Sequence, residues 1–175
     1  ITSGVWQIIL NPTRVVEGQY DLWLPSENVL NRGTGFLYPD EEVTLTIPST
    51  ADKVISVGAY DALTFSYASF SGRGYTWQDE RTKPDLVASG VNVKTTAVGG
   101  GVTVVSGTSF ATPFVTGASA LLMEWGIVRG NDPFLYGEKV KAYLRRGARE
   151  LPGFGKYPNR EVGYGRLCLE RSLPD

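Results

Sequence analysis

Val105-Ser106-Gly107-Thr108-Ser109-Phe110-Ala111-Thr112-Pro113, continuing to Trp125, is the stretch from which the rest of the chain is read. A Gly-Thr turn delivers one serine to the start of an apolar pattern. Phe110, Phe114, Ala118, Leu121, Leu122 and Trp125 follow at the spacings of a helix face. No charged residue stands between Lys94 and Glu124, which predicts a helix buried nearly all round. A serine at the mouth of such a helix has its own N–H among the unpaired donors of the first turn. The positive end of the helix dipole also favours negative charge developing there. Both suit a tetrahedral oxyanion. The plainer reading is a core helix with a capping serine. Pro113 argues against it, because a proline inside the pattern removes a hydrogen bond and crowds the preceding turn, which makes sense where the first turn is specialised.

Upstream, Gly99-Gly100-Gly101 forms a flexible turn into Val102–Val105, the strand that delivers the serine. Lys53 to Asp61 is a nearly continuous apolar run, as expected of a strand buried on both faces of a parallel sheet. Phe65 to Gly74 reads as loop, and Lys83 to Val93 as two short strands around a Gly turn. Downstream, Asn131-Asp132-Pro133 breaks the chain before a second helix over Gly137–Arg146. Val140, Tyr143 and Leu144 point inward, Glu138, Lys139, Lys141, Arg145 and Arg146 outward, and Gly147 ends the helix. Val162 to Leu169 reads as a last strand entered through a Gly-x-Gly turn.

Residues 1–48 differ in character. Val5–Leu10, Gln19–Leu24 and Glu42–Ile47 read as short strands closed by Asn11-Pro12, Pro25 and Pro48. Three such strands suit the end of a β-sandwich or jelly roll but cannot complete one, so the missing strands are expected before residue 1. Trp6, Tyr20 and Trp23 read as sandwich core in preference to sugar-stacking residues.

The totals exclude several function classes. Seventeen basic against eighteen acidic side chains leave no field to draw the chain to nucleic acid or a membrane surface. The longest uncharged apolar run, Phe110 to Met123, is too short and too polar to span a bilayer. With Cys168 the only cysteine, no intrachain disulfide forms, and that thiol reads as a filler. No acidic cluster has calcium-ligand spacing, so no metal and no cofactor are expected. The most informative count is zero histidines, because a serine nucleophile needs a base. Lys94, the nearest lysine in sequence, lies in a strand-like stretch and is not expected to serve as that base.

Ser106-Gly107-Thr108-Ser109-Phe110-Ala111-Thr112-Pro113-Phe114-Val115-Thr116-Gly117 closely resembles the nucleophile motif of the subtilisin-like serine proteases. Val54–Ala59, Ala68–Gly72, Lys83–Ala88 with Gly90-Val91, and Gly163–Leu167 resemble further blocks of that family, in the family's order. Together they cover about residues 49–172, and Ser89 departs from the family's usual proline. The resemblance implies an α/β fold: the C-terminal half of a parallel-sheet subtilisin-like domain over 49–175, preceded by the end of a β jelly-roll insertion over 1–48. That insertion, with Asp132–Leu144, is similar to the clostridial Csp-type germination proteases, which implies a spore-associated or secreted protein.

The resemblance also implies roles. Ser109 is the nucleophile, Gly107 and Pro113 shape its turn, and the Ser109 N–H helps hold the oxyanion. Thr108 either adds a weaker dipole or is simply a turn residue. Because subtilases run Asp, His, Ser along the chain, the aspartate, histidine and oxyanion asparagine belong upstream of Ile1. They would come from the N-terminal part of the same protease, acting on a protein or peptide substrate. This chain by itself is then expected to be inactive. Two rival readings stand beside this one. One is a catalytically inactive pseudoprotease serving as a signalling or binding partner; the other is a carbohydrate- or protein-binding module at the β-rich front.

Overall fold

The computed structural model describes the chain except residues 1, 19, 26–28, 76–80 and 175 and the side chain of Tyr75. Gln19, which opens the second expected strand, is therefore outside the described residues. The elements are β1 (Val57–Asp61), β2 (Ser66–Tyr67), β3 (Gly74–Tyr75), β4 (Thr82–Lys83), β5 (Leu86–Ser89), β6 (Val93–Thr96) and β7 (Val102–Val105). They are followed by α1 (Thr108–Met123), a π-helical turn (Glu124–Val128), α2 (Gly137–Gly147) and α3 (Leu169–Ser172).

Of the run Lys53–Asp61, expected as one strand, only Val57–Asp61 forms β1, and the expected loop Phe65–Gly74 contributes β2. β1 pairs in parallel with β5, Val57 opposite Leu86 and Tyr60 opposite Ser89, while β2 adds antiparallel on the other side. This makes a mixed sheet ordered β2-β1-β5. β6 and β7 form a separate antiparallel hairpin across the triple-glycine turn. α1 lies over the parallel pair through Ala111, Val115, Ala118 and Leu122, which recur every three or four residues. Val140 and Leu144 bring α2 into the same core. On a second cluster, Val87 and Tyr60 pack with Leu151 and Val162.

α1 is not buried all round, as its composition predicts, but on that one face. Phe114 and Leu121, on the other side, are 47% and 52% exposed. Absence of charge reports that a helix tolerates burial, not that partners cover every face. Thr112, Thr116 and Ser119 reconcile their hydroxyls with the apolar helix by donating to carbonyls one turn back. Thr108 to Val128 is long and apolar enough to cross a bilayer by length and composition, unlike the shorter run read from sequence. Its buried face nevertheless packs on the sheet of this domain.

Three further expectations change. Val162–Leu169 forms no strand, because Gly163 and Gly165 have φ of 57° and 117°, outside the extended region. It adds a single parallel rung, with Val87 donating to the Gly165 carbonyl and Leu167 to that of Val87. Lys141 and Arg145 do not point outward: both turn under α2 towards the buried Asp85. The stretch Glu42–Ile47 is not a strand either. It belongs by its contacts to the unit that starts at Asp40, with Leu45 buried and the Thr44 N–H donating to the Arg73 carbonyl at 3.0 Å.

Residues 1–39 form a unit of their own. Val5–Leu10 and Tyr20–Leu24 make no ladder among the described residues, and Trp6, Tyr20 and Trp23 are exposed rather than core. Alternating sequence specifies which face a strand would bury, but a strand forms only where another chain segment accepts its hydrogen bonds.

Candidate active site

β7 and the turn after it bring Ser109 to the surface. Gly107, with φ 152°, closes the turn in a conformation that side-chain-bearing residues rarely adopt. The N–H groups of Phe110 and Ala111 both return to the Gly107 carbonyl, at 3.1 and 3.3 Å. The Ser109 N–H has no main-chain acceptor among the described residues, and neither does its exposed hydroxyl have a hydrogen-bond partner there. A free donor at a helix N-terminus beside a free hydroxyl is the pairing that acyl transfer uses.

The turn is tied to the sheet. Gly90 follows β5 directly; its N–H donates to the Tyr60 carbonyl at 3.0 Å, and its own carbonyl accepts the Gly107 N–H at 2.8 Å. Ser109 thus stands beyond the carboxyl ends of the parallel strands, where open α/β sheets place their ligands. Gly90 leaves no room for a side chain: a Cβ there would lie 2.6 Å from the Ala59 Cβ and 3.0 Å from the Gly107 carbonyl oxygen. Gly90→Ala is expected to destabilise the fold by about 1–3 kcal/mol through overpacking, measured by denaturant unfolding. In sequence Gly90 reads as a turn between strands and as part of a family-like block, and nothing local marks it as a neighbour of the serine.

The other residues expected here fall close by. Thr108, partly buried, is the first residue of α1, and its carbonyl accepts the Thr112 hydroxyl at 3.0 Å. Ser106 accepts the Asn92 N–H at 3.0 Å, locking the hairpin entry beneath the turn. Pro113 lies inside α1, where it cannot donate to the Ser109 carbonyl one turn back, so the first turn is held by Gly107 instead. Cys168 is a free, half-buried thiol just before α3, away from this turn in sequence. Among the described residues no group of three or more His, Cys, Asp or Glu side chains is placed to hold a metal.

Comparison with known proteins shows what the chain is similar to. Residues 37–165, well over half of the chain, match the model of the subtilase family, Peptidase_S8. The structure of the Clostridium perfringens CspB protease superposes with a TM-score of 0.77 at 50% identity, covering 82% of this chain and 30% of that one. The self-cleaved protease domain of PatA superposes with a TM-score of 0.56 at 31% identity, over 72% of this chain and 42% of that one. Serine protease AprX of Bacillus subtilis (strain 168) is 34% identical over 156 residues, 78% of this chain and 33% of that protein. The membrane-bound transcription factor site-1 protease of Mus musculus is 38% identical over 134 residues, 74% of this chain and 12% of that protein. The chain thus spans a third or less of the length of these two curated relatives.

Proposed function

The chain belongs to the subtilase family, and we propose that it carries the nucleophile of a subtilisin-type serine endopeptidase. The observation that carries this reading is Ser109, with an exposed hydroxyl and a free N–H at the mouth of α1, at the carboxyl end of β5. In the reaction, the Ser109 hydroxyl attacks a peptide carbonyl of a protein or peptide substrate. A histidine takes its proton and returns it to the leaving amine, while an aspartate orients that histidine. The Ser109 N–H and an asparagine side chain hold the oxyanion, and the Thr108 hydroxyl adds a weaker dipole. Gly107 and Pro113 keep the first turn in the shape this needs.

The histidine, aspartate and asparagine come from the N-terminal part of the same protease. In this assignment 49–175 is the C-terminal half of the catalytic domain. The jelly-roll end expected over 1–48 then reduces to residues 1–39, whose ladder partners lie in that N-terminal part, since Glu42–Ile47 packs with the catalytic unit. A role in sporulation or germination belongs to the same proposal and rests on the likeness to the clostridial CspB protease.

These 175 residues alone are inactive on this reading, since they contain no histidine. Loss of the oxyanion asparagine by itself costs roughly a hundred- to a thousand-fold. The absence of histidine is also what favours the second reading, a pseudoprotease whose retained serine has lost its base. A fluorophosphonate probe separates the two. Applied to the full-length polypeptide, it is expected to label Ser109 and to leave the isolated 175-residue chain unlabelled. Full-length protein that stays unlabelled establishes the pseudoprotease, and labelling of the isolated chain overturns the division of the site between two segments.

A further inference from the structure

Beneath α2 lies a buried charge cluster that the proposed chemistry does not use. Asp85 is 0% exposed, Lys83 1% and Lys141 7%. The Lys83 ammonium sits 3.2 Å from Asp85 Oδ2 and donates to the carbonyls of Ala51 and Val54. The Ser56 N–H donates to the same Oδ2 at 2.7 Å. The other oxygen, Oδ1, accepts Arg145 through Nε at 3.0 Å and through Nη2, and has Lys141 Nζ at 3.3 Å. Asp52, whose carbonyl Lys141 reaches, has its carboxylate paired with Arg81 at the surface. Among the described residues three cations therefore meet one carboxylate, in a site where only Arg145 retains appreciable contact with water.

One cation can relieve this. A guanidinium does not give up its proton in a protein. Lys141, by contrast, is the cation that shares its carboxylate oxygen with the Arg145 fork. It also faces two carbonyls, those of Asp52 and Val54, each at 2.9 Å. A neutral amine keeps two N–H groups, enough for both. We propose that Lys141 is a proton-operated latch: it ties residues 52–54, just upstream of β1, to α2, firmly as a neutral amine and more loosely when protonated. The joint matters because it clamps the entry ends of both parallel strands, β1 through residues 51–56 and β5 through Asp85.

The direction of the effect follows from burial. Burial pushes the Lys141 pKa down from 10.5 to about 8, Asp85 opposing and Lys83 and Arg145 assisting. The unfolded or opened chain therefore holds more protons than the closed one between these values, and closure strengthens as pH rises from about 8 towards 10.5. Below about 8 both states carry the proton and the latch stays at its weaker setting.

The test compares the full-length polypeptide with its Lys141→Met variant, which keeps the length of the side chain and removes the charge. Hydrogen exchange at residues 51–56 is followed above pH 8 and corrected for the intrinsic rate. Opening is expected to fall by up to about tenfold per pH unit in the parent, the limit for one proton, and to stay flat in the variant. Lys83→Met is expected to retain a pH dependence. Parallel curves for parent and Lys141→Met, or opening that increases with pH in the parent, overturn the proposal. Direct NMR titration of the Lys141 Nζ needs no variant, and a midpoint at the value of free lysine overturns it equally.

Discussion

On the proposed function, Ser109→Ala in the full-length polypeptide is expected to lower kcat by roughly a million-fold, the loss known for the equivalent knockout in subtilisin, while leaving the fold intact. The hydroxyl is exposed and makes no hydrogen bond among the described residues, so its removal opens no cavity and orphans no buried partner. Unfolding midpoints are expected to agree within about 0.5 kcal/mol, as for surface substitutions elsewhere. Turnover of a chromogenic peptide and a denaturant titration on the same preparations check both halves. A loss of only a few-fold assigns the chemistry to another group. A loss accompanied by a large drop in stability gives Ser109 a structural role that its exposure contradicts.

The second large effect concerns stability. Asp85→Asn is expected to destabilise the fold by about 3–5 kcal/mol, the range for breaking a buried ion pair from one side. The exchange keeps the shape but removes the only carboxylate that faces Lys83, Lys141 and Arg145 among the described residues. Burial pushes the Asp85 pKa up, but the Ser56 N–H, the Arg145 fork and Lys83 together outweigh it and hold the carboxyl below its ordinary 3.8. An acid depressed in this way stabilises the fold above its unfolded pKa, and that contribution is lost as pH falls below about 3.8 towards the folded value. The parent should therefore lose stability in this acid range by a component that Asp85→Asn lacks. Urea unfolding of both proteins between pH 2.5 and 6 measures the difference.

The parts of the chain legible without coordinates were those in which local pattern and tertiary role coincide. The second half of the apolar run, Val57–Asp61, forms the expected covered strand, and the Gly-Thr-Ser turn before a helix presents its serine. Residues whose position depends on distant partners were harder to read. Lys141 and Arg145 occupy polar positions of an amphipathic helix, and helical periodicity cannot distinguish water from a buried carboxylate as the group they face. Gly90 looked like a turn, because its closeness to Ala59 and Gly107 depends on segments separated in sequence. Trp6 and Trp23 lie in alternating patterns that specify a face without supplying the neighbour that would cover it.

The bare side of α1 bears on how the enzyme proposed here would switch on. Phe114 and Leu121 lie on the same rod whose first turn holds Ser109. A surface that shields this oily strip is thereby docked against the rod carrying the nucleophile. On the function proposed above, with that surface belonging to the segment that bears the histidine, finishing the hydrophobic interior and finishing the catalytic constellation become one step. A polypeptide caught half-folded would carry its serine harmlessly until that step is taken.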